Sequence, residues 1–343
     1  MAAMVDWLTA RVPCELPGHI HGGQVISIRP DGTVEWTTDR RLMVPGSHAA
    51  AIAVRGGGHE LEISGNPSKW LQGHNVFGSS HPIKLLYRVL CELVPILDLR
   101  PTFQQRRAWV YGDYDLLRVD VNRMYDLGSD EDVVLFLNGA SRVAKGRYQK
   151  ASAFESDTVY IGQKSKRVSV KFYNKFQEMQ KKGHTLGDTM SPLWRQKLLE
   201  SAYGKLRYEV TLRSKELQDR GLRRASSWSS ATADLILDER LGVMELNDAV
   251  RLSEDVLQQL PPKLVPIYDA WRAGRNLKEI YAKNTFYRYR RQLLPYDIDI
   301  AEVRPHEVVA ETQYLMGRPL KSFLVGPGVS PPEWAKGTDL LAG

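Results

Sequence analysis

The chain has 343 residues, enough for one large domain or two ordinary ones, and its composition is that of a globular protein. Its net charge of +7 favours a polyanionic partner. No segment is long and apolar enough to cross a bilayer, and the N-terminus lacks the pattern of a secretion signal, so we expect neither a membrane protein nor a secreted one. Cys14 and Cys91 lack metal-type spacing, which favours a reducing cytoplasm without a disulfide.

The first half of the chain has the pattern of short strands joined by turns. Segments 25–28 and 34–36 flank a Pro-Asp-Gly-Thr turn and predict a hairpin. Segments 50–55 and 60–64 flank three glycines and predict a second pair of strands.

A helix is predicted over residues 82–97, with Ser79 or Ser80 as its cap and Pro82 in its first turn. The later elements, in chain order, are a strand at 117–122, a helix at 131–138, a strand-rich region at 159–175, an amphipathic segment at 192–202 and a strand at 206–213. Strands that alternate with helices and hairpins predict an α+β domain, in which helices pack on a central antiparallel sheet.

The pattern becomes mainly helical after about Arg224. A short helix at 277–281, a turn, and a basic helix capped by Thr285 have the proportions of a DNA-binding helix-turn-helix, although an ordinary helical hairpin with a solvated arginine face fits equally well. We therefore predict three regions, which are a domain at 1–225, a helical region at 226–324 and a loose tail at 325–343.

The segment 169–175 contains a tyrosine between two lysines. Strict alternation places Lys171, Tyr173 and Lys175 on one face of a strand. Nearby ammonium groups favour the phenolate and are expected to lower the pKa of Tyr173. A tyrosine in this setting is a candidate nucleophile.

Acidic residues in three other predicted strands would share that polar face. These residues are Glu62, Asp120 and Glu209. Clustered carboxylates stay ionised only with a cation among them, and hard oxygen ligands suit Mg²⁺ or Mn²⁺. Because any antiparallel sheet with one wet face alternates in this way, the hypothesis of a reactive site depends on all four strands together.

Four ordered blocks resemble the gene II/X replication initiators of filamentous phages, a family with prophage-encoded relatives. The first runs over Gly65–Gly78, from Gly-Asn-Pro to His-Asn-Val-Phe-Gly. The others are Arg118–Asp120, the stretch from Thr158 through Tyr173-Asn174-Lys175 to Glu178, and Leu206–Glu209. The opening Met4–Leu8 is also similar, so that the resemblance spans most of residues 4–225.

The resemblance implies a rolling-circle initiator of the HUH endonuclease type. Such a protein nicks one strand at the origin, holds the 5′ phosphate on a tyrosine, leaves a 3′ hydroxyl for the polymerase and later rejoins the ends. Tyr173 matches the family's nucleophile and Lys175 its paired lysine. The implied partners are single-stranded and duplex origin DNA and the helicase and polymerase of the host, in the bacterial cytoplasm; an oligomer could form on DNA.

Several basic residues are candidates for contact with DNA. Those in the matching blocks or the basic C-terminal helix are Arg118, Lys164, Arg207, Arg288, Arg290 and Arg291.

Histidines are the other metal-ligand candidates. HUH enzymes usually bind their metal through a His-hydrophobic-His strand, and this chain has His19-Ile20-His21, but glycines flank it and predict a turn. His74 lies inside a matching block and is the better candidate, although it could instead bond the backbone or contact phosphate. We rank the metal ligands Asp120, Glu209, His74 and Glu62.

Two other classes of protein stay open. A tyrosine recombinase also uses a phenol, but it needs no metal and the acidic strands argue against it. A non-catalytic origin-binding or copy-control protein would have a structural Tyr173. Metal-dependent nicking of single-stranded origin DNA would separate the three.

Overall fold

The computed structural model describes residues 3–46, 50–143, 145–146, 149–153, 158–181, 186, 190–244, 260–272, 275–296, 298, 300–301 and 320–335, with side chains left out from 142 to 153. Among these residues, no helix has the length and apolar character needed to cross a membrane.

Ten strands form one sheet in the order β4-β5-β6-β1-β7-β12-β11-β10-β9-β8, and neighbouring strands are antiparallel throughout. A separate hairpin consists of β2 and β3. The strands are β1 (Met4–Pro13), β2 (Gln24–Ile28), β3 (Val34–Asp39), β4 (Leu42–Pro45), β5 (Ala51–Gly57), β6 (Glu60–Gly65), β7 (Asp115–Asp126), β8 (Lys145–Gly146), β9 (Gln149–Ala153), β10 (Thr158–Ile161), β11 (Val168–Asn174) and β12 (Lys205–Arg213).

Helices flank both faces of this sheet, so the α+β class predicted from the sequence is confirmed. The described helices are α1 (Pro67–Gln72), α2 (Pro82–Ile96), α3 (Phe103–Tyr111), α4 (Asp130–Val143), α5 (Lys175–Gln180), α6 (Pro192–Ala202), α7 (Ser214–Asp219), α8 (Thr232–Gly242), α9 (Val265–Arg272), α10 (Leu277–Ile280) and α11 (Lys283–Leu293). Short 3-10 helices lie at 225–227, 294–296, 320–324 and 333–335.

One face of the sheet is apolar and carries the main core. Alternation places a valine from each of β1, β7, β12 and β11 in one row across this face. Phe172 on β11 stacks on Tyr208 of β12 at 5.0 Å between ring centroids, and Phe136 of α4 packs against Phe172 at 5.6 Å. Leucines and valines of α2 join the same buried cluster.

The other face is polar over the central strands. Lys171, Glu209 and Asn122 lie side by side on β11, β12 and β7, and Tyr173 lies beside Arg207 in the next row. One end of this face is covered by α5, α6 and the loop at 73–78, which form a smaller apolar cluster with Met124. The remaining polar surface is open.

Two helices were not predicted from periodicity, and both begin with a side-chain cap. Asn66 accepts a hydrogen bond from the Lys69 amide and Pro67 opens α1. Thr102 and Gln105 form a capping box at the start of α3. The predicted helix at 82–97 is present as α2, but its N-cap is His81, whose side chain makes no capping bond.

The packing differs from the predicted regions after residue 225. Trp228 and the α8 residues Ile236 and Leu237 belong to the main core, so no change in packing occurs at 225. A second buried cluster lies within residues 260–301 and includes Phe286. In that cluster α10 has four residues, and α11 begins at Lys283 without a side-chain cap.

The described part of the predicted loose tail packs on the domain. The Val329 amide donates to the Met124 carbonyl at 2.8 Å, and Trp334 contacts Phe77 and Trp194 edge to face. The aromatic contacts supply the apolar burial that the local sequence, rich in glycine and proline, did not indicate.

Gly326 and Gly328 provide a test of this packing, since both have positive φ, +99° and +79°. A Cβ at Gly328 would lie 2.5 Å from Arg123 Cγ, whereas one at Gly326 would meet open space. Both alanine variants share a backbone strain of about 1–2 kcal/mol, so we expect Gly328→Ala to lower the thermal unfolding midpoint clearly more than Gly326→Ala. Calorimetry measures both midpoints, and equal shifts would contradict the packing of this segment.

Candidate active site

The polar face brings the candidate nucleophile next to a carboxylate. The Tyr173 hydroxyl donates to Glu209 Oε2 at 3.3 Å, and the Lys171 ammonium lies 4.0 Å from the centre of the Tyr173 ring. Tyr173 is only 3% exposed. This strand pairing places the phenol in contact with a potential proton acceptor.

A third acidic residue, Asp6, joins Asp120 and Glu209 on this face. The β1–β7 register shifts between Val5 and Trp7, which makes Asp6 the extra residue of a bulge. Its carboxylate accepts hydrogen bonds from Asn66 Nδ2 at 2.7 Å and Asn75 Nδ2 at 2.9 Å. Asp6 was missed by the sequence prediction, and the available signal was an acidic residue inside the apolar run at the start of the chain.

Burial dominates the proton affinities of these groups. Burial raises the pKa of Glu209 to about 7, and Asp6 and Asp120 raise it further while Lys171 and Arg207 lower it. Burial also raises the pKa of Asp120, in spite of its contact with Arg118. A carboxyl group with such a pKa can exchange protons near neutral pH.

The expected lowering of the Tyr173 pKa by its lysine neighbours is not found. Burial raises the pKa of Tyr173 well above its ordinary value, and the favourable charge of Arg207 does not offset it. The phenol is therefore neutral at physiological pH, so a nucleophilic Tyr173 needs a base.

Lys175 does not continue the strand, contrary to the prediction from alternation. β11 ends at Asn174, whose side chain accepts from the Gln177 amide and caps α5, and Lys175 is the first residue of that helix. Its ammonium donates to Asn75 Oδ1 at 2.8 Å and Glu178 Oε2 at 2.6 Å, and the residue is 1% exposed. Burial, together with Arg207, lowers the pKa of Lys175 to about 8.

Arg207 lies beneath the loop at 73–78 and not on a surface open to DNA. It is fully buried, and its NH2 group donates to the carbonyls of Asn75 at 2.7 Å and Val76 at 3.1 Å. The structure therefore gives Arg207 a role in holding this loop, in place of the DNA contact that we expected.

Arg118 remains on the open part of the polar face. Its guanidinium donates to both oxygens of Asp120, at 2.8 and 2.6 Å, and lies 5.3 Å from the centre of the Trp7 ring. Arg213 is directly opposite Arg118 in the β7–β12 pairing. Two facing arginines repel each other, which makes this part of the face attractive to an anion.

Glu62 shares the polar face but lies apart from the other acids. It contacts Arg41, Arg55 and Arg11 at 2.6, 3.1 and 3.6 Å. Although burial alone would raise it, hydrogen bonds from Arg41 and Arg55 hold the pKa of Glu62 below its ordinary value. Charge compensation by arginines leaves little need for a cation here.

The histidine candidates lie in loops. His74 is buried after α1, where Gln72 Nε2 lies 3.4 Å from its Nδ1. Ile20 forms a single bridge to Gly56, and His19 pairs with Asp39 at 3.2 Å.

The remaining basic candidates are away from the central strands. Lys164 is exposed in the turn between β10 and β11. On α11, Arg288 and Arg291 are exposed and Arg290 is partly buried.

The donor set matches a hard cation in kind. Asp6, Asp120 and Glu209 are clustered carboxylates, and Asn122 beside them is fully buried with neither side-chain polar atom hydrogen-bonded to any described residue. As the described side chains stand, however, no three His, Cys, Asp or Glu residues converge enough to enclose a metal ion. Oxygen donors of this type fit Mg²⁺ or Mn²⁺ once Arg118 releases Asp120.

Comparisons with known proteins identify the family. The model of the N-terminal part of the phage gene II replication-associated protein family matches residues 4–231. A relative that carries the same replication-associated protein name, from Enterobacteria phage I2-2, is 34% identical over 307 residues, which cover 87% of this chain and 88% of that protein. The chain belongs to this replication-associated family.

A solved structure was also matched, that of the rolling-circle replication initiator protein from Geobacillus stearothermophilus. The match covers 69% of this chain and 79% of that one, with 15% identity and a TM-score of 0.30. This likeness is too slight to bear on the site.

The raised pKa of Glu209 gives a prediction for stability. Between its ordinary value of 4.5 and about 7, the folded state keeps a proton that the unfolded state has released. The free energy of unfolding should therefore fall as pH rises through this window, by on the order of 2 kcal/mol from this group. Glu209→Gln, which is always neutral, should flatten that fall in urea unfolding measured from pH 5 to pH 8.

The matched control is Glu200→Gln, because Glu200 is exposed on α6. The control should keep the slope of the unmodified protein. Equal slopes for the unmodified chain and Glu209→Gln would contradict the proposed proton on Glu209.

Proposed function

We propose that this protein initiates phage rolling-circle replication by nicking one strand of the origin through a 5′-phosphotyrosine on Tyr173, and that it later rejoins the displaced strand. The hydrogen bond from the Tyr173 hydroxyl to Glu209 is the observation that carries the proposal, because it pairs a phenol with a carboxylate on the polar face. Membership of a replication-associated phage family supports it.

In the proposed step Tyr173 Oη attacks the scissile phosphorus while its proton passes to Glu209. The bond from phosphorus to the 3′ oxygen breaks, and that oxygen takes the proton as it becomes the free 3′ hydroxyl. Rejoining reverses the step, with the 3′ hydroxyl as the nucleophile. A base with a pKa near 7 is well matched to this transfer, and Glu209 has one of about 7.

Charged groups around Tyr173 would stabilise the phosphate. We assign Lys171, over the Tyr173 ring, and the buried Lys175 to the negative charge that develops on the phosphoryl oxygens. A bound Mg²⁺ or Mn²⁺ would polarise the scissile phosphate, and Asp120 and Glu209 would hold it.

The substrate strand would lie on the open part of the polar face. Arg118 and Arg213 face each other there, and Lys164 is exposed in the turn after β10. Phosphate contacts of this kind hold a strand without reading its sequence. The exposed arginines of α11 are proposed to add duplex origin binding, and host helicase and polymerase to follow at the nick, in the bacterial cytoplasm.

A non-catalytic origin-binding protein is the alternative of another class. It would need no hydroxyl at position 173 and no cation. A metal-independent tyrosine recombinase is less well supported, because carboxylates surround the buried Tyr173.

Tyr173→Phe tests the nucleophile directly. The ring and its packing remain while the hydroxyl is lost, so we expect binding of a single-stranded origin oligonucleotide to survive and the covalent protein–DNA adduct to disappear. The adduct is measured by denaturing electrophoresis of a labelled oligonucleotide.

Tyr160→Phe is the matched control, because Tyr160 lies opposite Lys171 on the neighbouring strand. It should form the adduct at the normal level. An adduct that persists in Tyr173→Phe would sink the assignment.

The assigned metal ligands predict a response to Mg²⁺. The cation should raise the thermal unfolding midpoint of the unmodified chain, because a ligand that binds only the folded state stabilises it. Asp120→Asn and Glu209→Gln should each abolish most of this rise and lower nicking with it.

Glu62→Gln is the control, since Glu62 is held by arginines away from Tyr173. It should keep the full Mg²⁺ response. The opposite pattern, with Glu62→Gln alone losing the response, would move the cation to the arginine cluster.

A further inference from the structure

Asn75 lies between two charged groups and uses both ends of its side-chain amide. Its Nδ2 donates to Asp6 at 2.9 Å, and its Oδ1 accepts from the Lys175 ammonium at 2.8 Å. The partners fix the orientation of the amide, because a carboxylate only accepts hydrogen bonds and an ammonium only donates them. The side chain of Asn75 therefore connects the β1 bulge to the first residue of α5.

The backbone of Asn75 is held as well. Arg207, which is fully buried on β12, donates to the carbonyls of Asn75 and Val76. Gln72 stabilises the same loop at other points, since its Nε2 donates to the carbonyls of His74 at 3.2 Å and Phe77 at 2.7 Å. Gln72 thus supports the loop through its backbone.

The contact with Asn75 ties the Lys175 ammonium to the sheet. Glu178, which also pairs with Lys175, is three residues later on the same helix and moves with it. Asn75 is 100 residues away in the chain and lies in the loop over β12. A long, flexible lysine stem needs such a fixed acceptor if its charge is to stay at one point.

We infer that Asn75 is a positioning residue for the reaction of Tyr173, which holds the Lys175 ammonium in the site while Asp6 orients its amide. The inference rests on the proposed function, in which Lys175 acts on the phosphate. An alanine would leave the ammonium and Asp6 without this link, and an aspartate would set a second carboxylate against Asp6. Asparagine provides one donor and one acceptor at the required length.

The first test is a double-mutant cycle on the single-turnover nicking rate at saturating single-stranded origin oligonucleotide. Lys175→Met should lower the rate about 100-fold, as loss of one fixed charge at a reacting phosphate does. Asn75→Ala should lower it about tenfold with oligonucleotide affinity unchanged, because it misplaces that charge. The double variant should be no slower than Lys175→Met alone, because Asn75 acts through Lys175.

The second test does not depend on nicking. Brief reductive methylation followed by mass spectrometry should leave Lys175 largely unmodified in the unmodified chain and in Gln72→Ala, and should label it at least severalfold more in Asn75→Ala. If Asn75→Ala does not fold, Asn75→Ser serves in its place, since the hydroxyl is too short to reach both partners.

The outcomes separate this inference from the proposed function. Rate losses that multiply in the double variant, or equal labelling of Lys175 in Asn75→Ala and Gln72→Ala, would overturn the positioning role and leave Tyr173 as the nucleophile. An adduct that forms in Tyr173→Phe would overturn the proposed function itself, whatever the labelling shows.

Discussion

The buried negative charge on the polar face is the constraint on which this site depends. Asp6, Asp120 and Glu209 are close enough for Asp6 to raise the pKa of the other two. Leaving such charges uncompensated in a partly desolvated setting is costly. The protein answers with cations that are themselves fixed, which are Arg118 on Asp120 and Lys175 beside Asn75. The arrangement is therefore balanced internally, and a divalent cation would enter by exchange for one of these contacts.

The block at residues 65–78 roofs this charged cluster, and its polar side chains are used mainly to hold structure. Asn66 caps α1 with its oxygen and donates to Asp6 with its nitrogen. Gln72 bonds two carbonyls of the loop, and Asn75 joins Asp6 to Lys175. Amides suit this task because each offers a donor and an acceptor without adding charge. Their presence in the block follows from the geometry of the roof, without any need for contact with DNA.

Much of the site could be predicted because the side-chain period of a strand is two. Alternation alone places Asp120, Glu209 and Tyr173 on the face opposite the apolar core, as the register confirms. The local pattern could not show where alternation stops. Asn174 ends β11 by capping a helix, which removes Lys175 from the strand, and the bulge that turns Asp6 inward is visible only in its pairing with β7. The same limit applies to burial from afar, since the loop that covers Arg207 is distant in sequence.

The protonation of Tyr173 changes how the proposed chemistry must begin. Neighbouring lysines suggested a phenolate, yet burial raises the pKa of Tyr173 and keeps the phenol neutral. Activation then depends on Glu209, which already accepts the hydroxyl hydrogen and whose pKa of about 7 lets it be ionised in part at neutral pH. A cation bound at Asp120 and Glu209 would increase that ionised fraction, because an adjacent positive charge lowers the pKa of a carboxylate. Arrival of the cation and of the substrate phosphate would therefore coincide with the appearance of the base, while in their absence the phenol stays protonated and covered by Lys171.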